Sequence, residues 1–411
     1  MKISTFPEDW AARKQQSSLI DSAARSALFR VLEQLEQGRL VITENDETRE
    51  FGNPGSDLEA RVVVTNPAAY RMVLLNGSIG AGEAYMSGCW HSPDLTRVIQ
   101  VMCRNMNALQ QVDGGISKLM GAINRLHHMC IPNSLSGSRR NIQAHYDLSN
   151  DLFETFLDRE MMYSSAVYPR GDESLEDAQI AKLEAVAQKL DVDATHSVVE
   201  IGTGWGGMAI YLARTRGCKV TTTTISKEQY EYAKQRVRDE GLESLVTVLD
   251  KDYRELTNTF DRLVSIEMIE AVGSEFLPEY VSKCDSLLKP GGKMVIQAIT
   301  MPEQRYEKAL HSVDFIQKYI FPGGFLPSVE AILKSTGQHT LLQFEAMDDI
   351  GLDYARTLQQ WRERFRDSRE QVQALGFDNL FFRLWEFYFC YCEGGFRERA
   401  ISTVQMVFRR V

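Results

Sequence analysis

The run Glu200-Ile201-Gly202-Thr203-Gly204-Trp205-Gly206-Gly207 is the part of the chain best equipped for binding chemistry. Glycines there let the backbone bend sharply and approach a ligand closely, and a helix starting at the end of the run would offer unpaired N–H groups. Between a strand and a helix, such a turn suits a nucleotide-like ligand. Glycine spacing alone does not separate a dinucleotide site from an S-adenosylmethionine site, or either from a structural tight turn. The strand-turn-helix setting favours a cofactor site built on Glu200, Gly202, Gly204, Gly206 and Gly207.

Further along, Thr224 and Gln229 occupy the zone where dinucleotide enzymes carry an acidic residue for the ribose hydroxyls, which counts against a dehydrogenase. Ser226 and Gln229 also have the spacing of a helix capping box, and capping is the simpler role for Ser226. Asp252 and Tyr253 bring a carboxylate and an aromatic ring to a sheet edge where an adenine could sit; a solvated charged loop is the plainer alternative.

These residues need a scaffold, and from Ser174 onward the pattern is strands alternating with longer helical periods, the signature of a largely parallel sheet. Strands are expected at Ser197–Ile201, Lys219–Ile225, Val246–Asp250, Arg262–Ile266 and Lys293–Ile299, with helices over Gly206–Thr215 and Lys227–Glu240. The first part of the chain reads as a smaller α+β module. A helix is expected over Ala23–Gln37, stopping at Gly38, and strands at Arg39–Glu44 and Glu59–Thr65, separated by the polar Asn45–Ser56. Asn76–Tyr85 is glycine-rich but makes a weak phosphate loop. Pro132–Ser138 has the composition of a linker, so the domains are set at residues 1–132 and 141–411 with a linker at 133–140.

The length of 411 residues, 44% hydrophobic and 25% charged, suits a two-domain globular protein. The longest apolar runs are strand-sized, short of a bilayer span, and acids near the N-terminus are unlike a signal peptide. A cytoplasmic protein is expected. Seven cysteines without a Cys-x-x-Cys suggest reduced thiols rather than a disulfide framework or a zinc site, so no metal is expected. The net charge of −10 argues against a nucleic-acid partner.

Longer motifs then come into play. Asn141–Phe153, Met162-Tyr163-Ser164-Ser165, Glu200–Gly207, Thr224–Gln229, Tyr319–Gly324 and Leu326-Pro327-Ser328 together resemble the cyclopropane-fatty-acyl-phospholipid synthases and mycolic acid cyclopropane synthases. The likeness spans about Asn141 to the C-terminus, and Asn76–Trp90 resembles the N-terminal lipid-associated domain of the bacterial enzymes. The resemblance implies an S-adenosylmethionine-dependent methyltransferase of Rossmann-like class I fold with seven strands, acting on double bonds of phospholipid acyl chains. It further implies cofactor contacts from Tyr163, Ser164, the Glu200–Gly207 turn, Thr224, Gln229, Asp252 and Tyr253.

A neutral cis alkene is a poor nucleophile, so such an enzyme must align it with the sulfonium methyl in a dry channel and then remove a proton from the cation. The resemblance implies that the base is a bicarbonate in a polar cage, with Glu270, the backbone at Ile299 and Tyr354 as cage residues. Ser165 stands where that family usually has a cysteine, and Gln297 where it usually has a histidine. Both keep hydrogen-bonding ability, but the group that could change charge near neutral pH is lost. Ring formation is the preferred outcome; a methyl-branched or exomethylene product is the rival, and an inactive lipid-binding or regulatory protein is the alternative of another class. Cys392 matches a cysteine once regarded as a nucleophile, although direct methyl transfer needs none; packing is its plainer role. His145 is expected to cap local structure. Peripheral contact with a membrane surface follows from a phospholipid substrate. Arg139, Arg140 and the apolar Ile116–Ile131 are candidates for it, an interdomain helix being the simpler role for the latter. A homodimer is left open.

Overall fold

The computed structural model describes residues 18–106 and 148–411. The expected linker, Ile116–Ile131, Arg139, Arg140 and His145 lie outside the described residues. The chain divides into two units, the first of Met1–Cys130, His311–Pro322 and Phe365–Ala400, the second of Ile131–Leu310, Gly323–Arg364 and Ile401–Val411.

In the first unit, β1 (Arg39–Glu44), β2 (Glu47–Gly52), β3 (Glu59–Val64) and β4 (Trp90–His91) form a sheet in the order β2-β1-β3-β4. The strand β2 falls inside the polar span expected to be a connection. Its first four residues are exposed and Phe51 alone is buried, so it lacks the apolar alternation that marks a strand. The turn makes it: Asn45 and Asp46 take φ of 48° and 68°, the left-handed pair that closes a tight hairpin. The first helix spans Leu19–Leu32, earlier than expected, because the Ser18 hydroxyl caps the N–H of Asp21. Asn76–Tyr85 is helical, within Ala68–Met86, and kinked at Gly77. A Cβ on Gly82 would stand 2.3 Å from the Phe315 ring, so this glycine serves close packing and not phosphate binding.

In the second unit, β5 (Ser197–Ile201), β6 (Lys219–Thr224), β7 (Val246–Asp250), β8 (Phe260–Ile266), β9 (Leu288–Thr300), β10 (Leu342–Asp349) and β11 (Ser402–Arg410) form one sheet, ordered β10-β11-β9-β8-β5-β6-β7. The five from β5 to β9 pair in parallel, and β11 runs antiparallel to β9 and β10. Val198, Val199 and Ile201 are buried on both faces of β5, each worth about 1.5–3 kcal/mol, which explains an apolar run without alternation. The chain leaves β5 for β6 on one side, while β8 lies on the other. The carboxyl ends of β5 and β8 therefore flank the crevice where open α/β sheets take their ligands.

Candidate active site

The turn after β5 is tied to β6: the N–H groups of Gly202 and Thr203 both donate to the Thr223 carbonyl, at 3.1 Å each. Gly202, Gly204 and Gly206 take φ of 97°, 52° and 92°, values that L side chains resist. The cleft above this turn is lined by Tyr163, Ser164, Glu200, Gly202, Gly204, Thr224, Gln229, Asp252 and Tyr253, all of them on the expected cofactor set. Gly206 and Gly207 are outside the lining. A Cβ on Gly207 would lie 2.5 Å from the Met162 sulfur and 2.8 Å from the Glu160 carbonyl, so this glycine lets the helix Gly207–Arg216 close onto the 160–162 segment.

Ser226 does cap the helix Lys227–Asp239, accepting the Gln229 N–H at 3.3 Å. The Gln229 side chain instead turns to Thr224, whose hydroxyl donates to Gln229 Oε1 at 2.9 Å. Asp252 is buried and fixed by a two-pronged pair with Arg254, at 2.8 Å for each contact. Glu200 Oε2 is buried in the cleft with no hydrogen-bond partner, an acceptor that suits the amino or hydroxyl groups of a nucleoside or amino-acid ligand. These residues fit S-adenosylmethionine.

Behind the turn stands a second cluster. Glu267, the residue after β8, lines the cleft and has a left-handed backbone, φ 49°. Its Oε1 accepts the Ser165 N–H at 2.9 Å and the Gln297 amide at 2.7 Å, and its Oε2 accepts the Tyr354 hydroxyl at 2.8 Å. Glu270 Oε1 accepts the Ile299 N–H at 2.5 Å, while its Oε2 is buried without a partner. The sheet dictates these meetings. Gln297 lies beside Ile266 across β8–β9 and beside Gln405 across β9–β11. Gln405 Nε2 donates to Gln297 Oε1 at 2.9 Å, and Lys189 Nζ donates to Gln405 Oε1 at 2.5 Å. Both amides are thereby oriented, and the Gln297 NH₂ must face Glu267.

Lys182, fully buried on the helix Leu175–Leu190, donates to the Ser164 hydroxyl at 2.8 Å. Burial lowers its ammonium to about 8, opposed by the charges of Glu267, Asp158 and Glu200. Burial raises Glu200 to about 8, with Thr222 and Lys182 pulling the other way. Burial also raises Glu270 to about 8, and the negative charge of Glu267 adds to that rise. Glu267 too is raised by burial, but the hydrogen bonds from Gln297, Ser165 and Tyr354 and the Lys182 charge all counter it.

The expected catalytic positions Glu270, Tyr354, Ser165, Gln297 and Ile299 thus come together, in a different arrangement from an open cage. The Ser165 hydroxyl donates to the Ala166 carbonyl at 2.9 Å, and it is the backbone N–H that faces the carboxylate. The donors expected to hold a bicarbonate are already directed at Glu267 and Glu270, so the residues present do not fit that ion. Cys392 belongs to the helix Asn379–Arg397 of the first unit, and burial pushes its thiol well above the ordinary range, so it is a poor nucleophile. Sequence reasoning missed Lys182, Gln405 and the role of Glu267. The one legible sign was Gln179 and Lys182 standing among Ala178, Leu183 and Val186 on the buried face of a helix. Among the described residues no group of side chains could hold a metal ion.

The family model for mycolic acid cyclopropane synthetase matches residues 133–406. The chain belongs to that family. It is 41% identical to tuberculostearic acid methyltransferase UfaA1 of Mycobacterium tuberculosis, over 84% of this chain and 81% of that protein. It is 37% identical to the cyclopropane-fatty-acyl-phospholipid synthase of Escherichia coli, over 85% of this chain and 88% of that protein. The solved mycolic acid cyclopropane synthase CmaA1 complexed with SAH and CTAB is similar in structure, with a TM-score of 0.62 and 29% identity, covering 66% of this chain and 98% of that one. This member of the cyclopropane synthetase family is accordingly an S-adenosylmethionine-dependent methyltransferase of class I α/β fold acting on lipid chains.

Proposed function

We propose that the protein transfers a methyl group from S-adenosylmethionine to a cis double bond in a phospholipid-bound unsaturated acyl chain and closes a cyclopropane ring. The observation that carries this reading is a glycine-turn cleft lined by a half-buried carboxylate already supplied with three donors. When bound, S-adenosylmethionine supplies an electrophilic methyl. Thr224 with Gln229, and Asp252 with Tyr253, would hold its nucleoside, and Glu200 its polar donors. Glu267 gives the cleft a negative partner for a positively charged sulfonium and for the substrate cation that follows. Around it, Phe153 packs on Trp205 at 4.8 Å and on Tyr163 at 5.2 Å, and Tyr163 on Trp361 at 5.3 Å, a wall that keeps water from a cation.

The acyl chain would be drawn from a phospholipid surface by reversible peripheral contact, at the cytoplasmic face. Among the described residues no helix is long and apolar enough to cross a membrane. A second reading, methyl transfer without ring closure, is favoured by the relative named as a tuberculostearic acid methyltransferase. The deciding experiment incubates the protein with vesicles of cis-unsaturated phospholipid and methyl-labelled S-adenosylmethionine, then resolves the acyl products by mass spectrometry and NMR. Labelled ring protons are expected. A labelled exomethylene or branched methyl selects the second reading, and no label in lipid overturns both.

A further inference from the structure

We propose that Glu267 is this enzyme's own base: its carboxylate takes the proton lost after methyl transfer, in place of any dissolved anion. The inference rests on the methyl-transfer reading above and on geometry. Glu267 lines the cleft, whereas Ser165, Gln297, Ile299 and Tyr354 are not part of its lining. A non-glycine residue held at φ 49° is uncommon and clusters at functional sites. An ionised carboxylate offers about four lone-pair positions. Oε1 accepts two hydrogen bonds and Oε2 accepts the Tyr354 hydroxyl, which leaves Oε2 room for one proton.

The surrounding groups keep the charge on this carboxylate. Lys182 is the buried cation whose charge acts on it, Glu270 is the competing acid, and Tyr354 is a phenol that donates. Two neighbouring carboxyls cannot both ionise cheaply, and the one with three donors ionises before the one with a single donor. Gln297 cannot reverse its amide, because Gln405 and Lys189 fix the other end, and it cannot capture the proton itself.

The step balances. The alkene π pair forms the new C–C bond to the methyl carbon as the S–CH₃ bond breaks and its pair returns to sulfur, giving a neutral thioether and a cation on the acyl chain. Glu267 Oε2 then takes a proton from the added methyl. The C–H pair closes the ring, and the carboxylate becomes a carboxylic acid that later releases its proton to water. A base is not required to be strong against so acidic a cation; it is required to be close and charged.

The test compares wild type, Glu267→Gln and Glu267→Gly in carbon-dioxide-stripped buffer and with bicarbonate added, using labelled S-adenosylmethionine and cis-unsaturated vesicles. Binding of S-adenosylhomocysteine by calorimetry and thermal unfolding are followed in parallel. Glycine suits the left-handed backbone, so that variant should fold. Wild type should be indifferent to bicarbonate. Glu267→Gln should lose about 100-fold or more of its turnover, with or without bicarbonate, as for removal of a general base. Glu267→Gly should lose as much in stripped buffer and regain about tenfold when bicarbonate can enter the vacated donors, a chemical rescue of the same group. S-Adenosylhomocysteine affinity should change less than about threefold throughout, since binding and proton transfer are separate tasks. Wild type that stops without bicarbonate, or Glu267→Gln that keeps its turnover, overturns the proposal. Wild type that binds S-adenosylhomocysteine but labels no lipid overturns the methyl-transfer reading instead.

Discussion

Burial acts on Glu267 and Glu270 alike, and what separates them is the hydrogen-bond donors each one meets and the charge beside it, Lys182 for Glu267 and Glu267 itself for Glu270. Glu270, raised to about 8, is mostly a neutral acid at pH 7. Replacing it by glutamine keeps an acceptor for the Ile299 N–H and removes the ability to ionise. Glu270→Gln should therefore lower turnover by about tenfold while leaving cofactor affinity nearly unchanged; steady-state kinetics and calorimetry check both, and a large loss of cofactor binding would place Glu270 in another site. Gln405→Leu strands the buried Gln297 Oε1, at a cost of about 1–3 kcal/mol in stability, and frees that amide to turn. Its turnover should fall with cofactor affinity intact, measured by the same pair of methods. Glu270, Tyr354, Gln297 and Ile299 were brought together by the family resemblance and not by their spacing. The direction of their hydrogen bonds was not legible, because a carboxylate three residues before Glu270 looks the same on paper whether it faces solvent or fills the centre of the cluster.

At the scale of elements, the glycines of the turn after β5 differ in what they permit. Gly204 has a left-handed backbone with open space around it, whereas a Cβ on Gly207 would strike the Met162 sulfur and the Glu160 carbonyl. Gly204→Ala should cost about 1–2 kcal/mol from backbone alone. Gly207→Ala should cost more and weaken S-adenosylhomocysteine binding about tenfold, because it pushes the helix away from the segment that carries Tyr163 and Ser164; differential scanning and titration would rank the two. Strands β5 and β7 were legible to the residue, β5 because a buried parallel strand reads as a short apolar run, and β7, an edge strand, because Val246, Thr247 and Val248 are β-branched. β2 and β10 were not, for the opposite reason: each is an edge with a single buried residue, Phe51 or Leu342, and owes its form to a hairpin or a partner strand rather than to its own pattern.

For the molecule as a whole, buried ionisable groups tie stability to pH. Glu200 and Glu270 are both raised from the ordinary carboxylate range to about 8, so the folded state holds their protons after the unfolded chain has released its own. The stability they confer is full below about pH 4.5 and is lost as pH rises to about 8. Lys182, lowered to about 8, works in the other direction: the unfolded chain holds that proton longer, so between about pH 8 and 10.5 stability recovers. Thermal midpoints of the ligand-free protein should thus decline from pH 5 toward 8, and Glu270→Gln should flatten that decline. A curve unchanged by the substitution would count against a shifted Glu270. None of this could be read from a formal charge of −10, which weighs exposed and buried groups equally.

The left-handed backbone at Glu267 has one more consequence, and it concerns inheritance. Glycine is the residue that such a backbone favours, and the codons for glutamate and glycine differ at the middle base alone. A chain with glycine there would retain the donors but lack the acid, and would depend on whatever small anion the cell dissolves. A single nucleotide therefore separates an enzyme that carries its own proton acceptor from one that must borrow it, and dissolved carbon dioxide becomes a growth variable for the second and not for the first.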